Sequence, residues 1–196
     1  MPNRRPARPS TLVGGVLTAA TILATGCAVP DTGRAVSAPT PSAAPGRKLR
    51  TPDSLLGLPK SMDRAATSVP QARLEEFKRE VGEPTSAIGW AYGGGTRAQE
   101  MIMVSAASGR IPDPEGTLTR ALRPYQISKV KTVEIGRFGG EARCGRGRTE
   151  KGDHLTVCGW ADPEIVGVVV FLSAAKQDDR KADFLTVRGE LERPAG

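Results

Sequence analysis

Apolar residues fall along this chain in three regimes: an uncharged run near the start, a stretch almost devoid of them, then strand-like and helix-like patterns to the end. In the third regime Leu74, Phe77 and Val81 recur at i, i+3 and i+7. They predict a helix from about Pro70 to Gly82, with proline at its start and glycine at its end. Ile88, Trp90 and Tyr92 alternate with Gly89 and Ala91, the period of a strand. Gly93-Gly94-Gly95 breaks that run as a turn, and Glu100 to Ala106 resumes it. Asp113 and Pro114 are placed as N-cap and first residue of a short helix whose apolar face is Leu118, Ala121 and Leu122, stopped by Pro124. A strand is expected over 130–135. A last helix is expected over 178–191, burying Phe184, Val187 and Leu191, with Asp178 and Asp179 suiting the positive end of its dipole. Thr51 to Pro59 reads as an opening strand or turn, and no internal repeat is visible.

Between the last two elements the pattern is sharper. Cys144 and Cys158 lie symmetrically about Lys151 in a polar, turn-prone segment, which predicts a hairpin with the two cysteines opposite each other and Trp160 opposite Ala142. Asp162-Pro163-Glu164 predicts a second tight turn, and a two-residue loop there sets Gly167 opposite Trp160, leaving room for the indole. Ile165 to Leu172 is apolar except for Gly167, so it reads as a central strand covered on both faces. Gly145 and Gly159 weaken their strands and are candidate bulge positions. The expected fold class is α+β: an antiparallel sheet of about five to seven strands with about three helices, mainly on one face.

The first regime fixes the expected compartment. Arg4, Arg5 and Arg8 precede residues 11–26, which carry no charge and include Leu12, Val13, Val16, Leu17, Ile22 and Leu23. The run closes on Ala24-Thr25-Gly26-Cys27, small residues before a thiol able to carry diacylglycerol: a lipoprotein signal, 1–26, with Cys27 as lipid attachment site. Ala24 stands where leucine is commoner. The run is shorter than the ~20 residues that span a bilayer. Arg4-Arg5 leaves the export route, general secretory or twin-arginine, open. Residues 27–50 contain Pro30, Pro39, Pro41 and Pro45 among small polar residues and read as a disordered tether, spanning roughly 25–30 Å as a coil and up to ~70 Å if polyproline-like. Residues 51–191 form the expected folded domain, and 192–196 a tail.

Composition adds constraints. Three cysteines are an odd number for an exported chain; lipid on Cys27 leaves Cys144 and Cys158 to form a disulfide outside the cytosol. With one histidine, His154, no metal site is expected. The chain carries +7, and the leader holds three of the arginines and no acid, which leaves the remainder at +4. That is too mild for a nucleic-acid footprint, and export argues against nucleic acid as well. Aromatics are only 4% of residues, so the core must rest on aliphatic side chains.

Few residues suggest chemistry. His154 beside Asp153 lies at a hairpin tip and reads as solvated; Ser105 and Ser108 lack the G-x-S-x-G elbow. No catalytic residue and no cofactor is predicted. Arg137, Arg143, Arg146, Arg148 and Lys151 form the one charge cluster suited to an anionic surface, a lipid headgroup layer or a wall polymer, worth ~1 kcal/mol per basic residue near a charged membrane. Trp90, Tyr92 and Met103 are the residues expected to line an apolar pocket if one exists.

Gly139-Gly140-Glu141-Ala142-Arg143-Cys144 and Val157-Cys158-Gly159-Trp160-Ala161-Asp162 together resemble a pattern in actinobacterial cell-envelope lipoproteins with a small exported α+β domain. The resemblance covers about the last third of the chain. It implies a Cys144–Cys158 bridge with Trp160 packed beside it, and no reaction. A looser likeness to sensor-like domains of mycobacterial-type lipoproteins and receptor kinases offers no motif to carry over. The function expected is a non-enzymatic binding or interaction module, lipid-anchored at the outer face of the cytoplasmic membrane, with an unidentified protein as a further partner. The alternative is an extracytoplasmic sensor or small-ligand carrier.

Overall fold

The structure, a computed structural model, describes residues 46–94 and 100–193; the leader, Cys27 and most of the tether lie outside the described residues. The first described segment already belongs to the fold. Lys48–Leu49 (β1) pairs antiparallel with Glu192–Arg193 (β10). The expected boundaries at 50 and 192 therefore move outward, because each segment supplies the other's missing strand partner. Ser54–Leu55 (β2) and Leu58–Pro59 (β3) form a small hairpin. Then follow Arg64–Glu80 (α1), Gly82–Gly93 (β4), Met101–Arg110 (β5), Pro114–Leu122 (α2), Ser128–Thr132 (β6), Glu141–Arg148 (β7), His154–Ala161 (β8), Ile165–Ser173 (β9) and Lys181–Leu191 (α3). Six strands make one antiparallel sheet, in the order β4-β5-β9-β8-β7-β6. The α+β class is as expected. Among the described residues no helix is long and apolar enough to cross a membrane.

The pleat divides the core into two layers. On one face Val157, Val166, Val168 and Val170 pack with Phe77 and Val81 from the end of α1 and Leu118, Ala121 and Leu122 of α2. On the other, Ile102, Val104, Cys158, Trp160, Val169 and Phe171 pack with Phe184, Val187 and Leu191 of α3. Two helices thus cover one face and the third covers the opposite one. β9 is central, and Ile165 to Phe171 is buried throughout, as its unbroken apolar run predicts.

The hairpin register is the expected one. Cys144 stands opposite Cys158, Ala142 opposite Trp160, and Trp160 opposite Gly167. The disulfide is formed, and a loop of this length is worth ~3 kcal/mol in the chain-entropy model. A Cβ on Gly167 would stand 2.3 Å from the indole of Trp160, so only glycine fits there. Trp160 meets Phe184 with ring centroids 5.8 Å apart. Gly145 and Gly159 are not bulged: β7 and β8 pair without interruption. Gly159 instead lets α2 approach, since a Cβ there would lie 2.9 Å from Leu118. The irregularity sits on β6, between Ser128 and Lys131, opposite Gly145.

Two helix starts differ from expectation. α1 begins six residues before Pro70, because Asp63 accepts the Ala65 amide at 2.8 Å and caps it. Pro70 falls inside the helix, and its carbonyl accepts the Ser105 hydroxyl at 2.9 Å. α3 begins at Lys181 rather than Asp178, with Asp179 accepting the Lys181 amide at 3.1 Å. α2 is as expected, with Asp113 accepting the Gly116 amide at 3.0 Å.

Candidate functional site

The two ends of α3 collect most of the charge that the fold brings together. At its C-terminal end Arg188 is completely buried, on the apolar side of the helix with Phe184, Val187 and Leu191. Its guanidinium donates to Asp162 at 3.0 Å and to Glu192 at 2.6 Å, and to the carbonyls of Phe138 and Gly139. It also lies over Phe138 and Trp160. Arg47 joins from the start of the described chain and pairs with Asp162, with Glu164 at 3.0 Å and with Glu192 at 2.9 Å. Burial pushes the Arg188 guanidinium below its ordinary range, opposed by Glu192 and Asp162. For Arg47 burial acts in the same sense, but the bonds to Asp162 and Glu164 outweigh it and hold the group above its ordinary range. Asp162 also accepts the amides of Glu164 and Ile165 and so shapes the β8–β9 turn. Every cation here has a carboxylate. The cluster fastens β1, the turn and α3 together and leaves no group for chemistry.

The other end is built differently. Lys129 and Lys131 of β6, Arg146 of β7, Thr156 of β8, and Arg180 and Lys181 at the start of α3 line a cleft of about 150 Å³, with the Cys144 end of the disulfide and Gly145 in its wall. Arg180 is held in place by Glu100, by Asp183 at 3.0 Å and by the Phe171 ring 4.5 Å from its guanidinium. Among the described residues Asp179 is the one carboxylate lining the cleft, and it stands 4.0 Å from the Lys181 ammonium. Among the described residues Lys129, Lys131 and Arg146 form no ion pair. Thr156 is 4% exposed, and its hydroxyl makes no hydrogen bond among the described residues. The β6 irregularity helps build this wall: Lys129 holds a left-handed backbone, φ 52°, a conformation that costs a non-glycine residue ~1–2 kcal/mol.

The basic residues expected to act together are dispersed. Arg143 points to the α2 face, where it pairs with Glu115 at 3.1 Å and Glu141 at 2.9 Å. Arg137 lies over the Phe138 ring. Arg148 donates to the Gly152 carbonyl at 2.9 Å, and Lys151 is exposed in the hairpin turn. Of the five, only Arg146 lines the cleft. The hairpin-tip cluster is thereby corrected to one made with β6 and α3.

The expected pocket residues are not brought together either. Tyr92 is fully buried, its hydroxyl donating to the Pro52 carbonyl at 3.1 Å. Burial pushes its phenol up, with Asp53 and Glu190 adding to the effect. Met103 packs against the opposite face of the sheet. Trp90 is partly buried on the Tyr92 face and borders an open groove between β4 and α1 with Gln71, Leu74 and Gly89. Ser105 and Ser108 are structural; Ser108 shares hydrogen bonds with Thr85 and Ser86. His154 opens β8 beside the turn. Among the described residues no group of three or more His, Cys, Asp and Glu is placed to hold a metal.

Lys129, Lys131, Thr156, Arg180, Lys181 and Arg188 carry no expected role in the sequence, and Asp179 only one at a helix start. The alternation Lys129-Val130-Lys131 was the local signal for two cations on one strand face, and the spacing 184, 187, 188, 191 was the signal for a buried Arg188. No family model, curated protein or solved structure matches the chain.

Proposed function

We propose that this chain is a lipid-anchored, non-enzymatic cell-envelope protein whose folded domain docks on anionic material through the cleft at the start of α3. One observation carries the docking: cations from three separate elements converge on a recess and, in the case of Lys129, Lys131 and Arg146, bring no carboxylate with them. Gathering like charges without neutralising them opposes folding, and an external anion removes that opposition. The anchoring rests on the sequence, on Cys27 closing an uncharged run behind Arg4, Arg5 and Arg8. Two acyl chains at ~0.8 kcal/mol per buried CH₂ hold such a protein at the membrane almost irreversibly. The carrier reading has no comparable support, because Trp90, Tyr92 and Met103 do not share a cavity wall.

The test has two readouts on the full-length chain. Wild type is expected in the membrane fraction, and Cys27→Ser is expected to leave that fraction or keep its leader; an unacylated, uncleaved wild-type chain in the cytosol contradicts the anchor. In uncharged micelles the protein is expected to be retained on immobilised polyglutamate at low salt. Raising salt past ~0.15 M, where the Debye length falls to about 8 Å, should release it. The triple variant Lys129→Glu/Lys131→Glu/Arg146→Glu is expected to lose retention, and unchanged retention contradicts the docking.

A further inference from the structure

The cleft carries an observation that general charge attraction does not explain. Thr156 is buried on the α3 face of β8, directly opposite Arg146 of β7 and Phe171 of β9. It lines the cleft, and its hydroxyl has no hydrogen-bond partner among the described residues. The hydroxyl itself is not sealed from solvent, so water from the cleft serves it until a ligand there takes its place. A neutral donor at the floor, three unpaired cations on two strands, and Lys181 on the third wall suit an anion with oxygens pointing in several directions. A carboxylate has two oxygens in one plane and is satisfied by a single bidentate arginine. A tetrahedral oxyanion can meet all three walls. The cleft's 150 Å³ is far above the ~10–15 Å³ that one water needs, and has room for one such group with part of its hydration. The α3 dipole adds positive potential at this end.

We propose that the cleft binds one phosphoryl group, with the Thr156 hydroxyl donating to one oxygen and Arg146, Lys129, Lys131 and Lys181 facing the others. This rests on the anion-docking reading above and narrows it to a ligand class. Arg180 does not neutralise the ligand, since Glu100 and Asp183 already hold it; it forms the wall from which α3 starts. The cost of the left-handed Lys129 is met by what it positions, an ammonium turned onto the cleft rim. The phosphoryl group has two sources in an envelope, a membrane phospholipid headgroup or a water-soluble phosphate ester.

The experiment uses the full-length chain in dodecyl maltoside micelles and isothermal titration with inorganic phosphate and with glycerol 3-phosphate. A third arm dopes the micelles with phosphatidylglycerol, with phosphatidylcholine as control. Saturable binding at one site per chain is expected. Thr156→Val, which keeps the side-chain shape, and Arg146→Gln, at an exposed position, are each expected to weaken it ~10-fold or more, as loss of a hydrogen bond to a charged group implies. Unchanged thermal melts for both variants exclude unfolding as the cause. Competition from phosphatidylglycerol that is itself reduced by Thr156→Val identifies the headgroup as the source. Its absence, with soluble esters still sensitive to Thr156→Val, identifies a free phosphate ester. The inference is overturned by no saturable binding in any arm, or by binding indifferent to both variants. Retention on polyglutamate with no Thr156-dependent phosphate binding leaves the docking standing and removes only this inference. Loss of both polyglutamate retention and phosphate binding removes the docking and this inference together.

Discussion

α3 is a helix of about 16 Å with cations at both ends and opposite solutions at each. At the Leu191 end, Arg188 and Arg47 are matched by Asp162, Glu164 and Glu192, and the cluster is largely dry. At the Lys181 end, Lys129, Lys131 and Arg146 stand in water around a recess with an idle hydroxyl. The same residue types form a neutralised clamp in one place and a recess without counter-charges in the other. Partner carboxylates make the difference. A cation neutralised inside the fold is spent on structure, whereas one left without a counter-charge keeps its field for something outside.

The largest effect is expected at the saturated end. Arg188→Met keeps much of the side-chain volume and removes the charge, which strands Asp162 and Glu192 with only Arg47 to serve both. Breaking a buried pair from one side costs ~3–5 kcal/mol. Urea unfolding should show the free energy of unfolding falling by that amount, as a lower midpoint at an unchanged slope, and phosphate binding to the remaining folded protein should be intact. A loss under 1 kcal/mol would mean that the cluster is not the clamp described. The smaller effect is expected at the open end. Lys129→Gly relieves the left-handed backbone and should stabilise the fold by up to ~1 kcal/mol while weakening anion retention. A residue that improves stability when removed yet harms binding has been kept for the binding. Stabilisation with undiminished retention would make the strain an accident of the β6 bulge.

The two ends also differ in how far they could be foreseen. The Cys144–Cys158 hairpin, the Trp160–Gly167 match and the α2 cap were legible because turns, caps and strand period act over a few residues. The central position of β9 followed from its unbroken apolar run for the same reason. The start of α1 is not legible from Pro70, because Asp63 caps the helix and the proline is carried inside it. The cleft was out of reach because β6, β7 and the start of α3 are neighbours only through the folded sheet: Lys131 is set opposite Cys144, two residues from Arg146, by the β6–β7 register, and Arg180 arrives from beyond β9. The expected basic hairpin failed on pleat parity. Arg143 and Arg146 are three residues apart on one strand, so they face opposite sides of the sheet, and Arg143 had acidic partners waiting on α2.

The central claim is that an external phosphoryl group completes the open end of α3 and leaves the closed end untouched. The most direct measurement is the backbone amide shift map of the full-length chain in uncharged micelles on saturation with glycerol 3-phosphate. The account predicts shifts confined to Lys129, Lys131, Arg146, Thr156 and residues 179–181, with Arg47, Asp162 and Arg188 unmoved. Shifts scattered over the exposed lysines and arginines, or centred on Arg47 and Arg188, would contradict it.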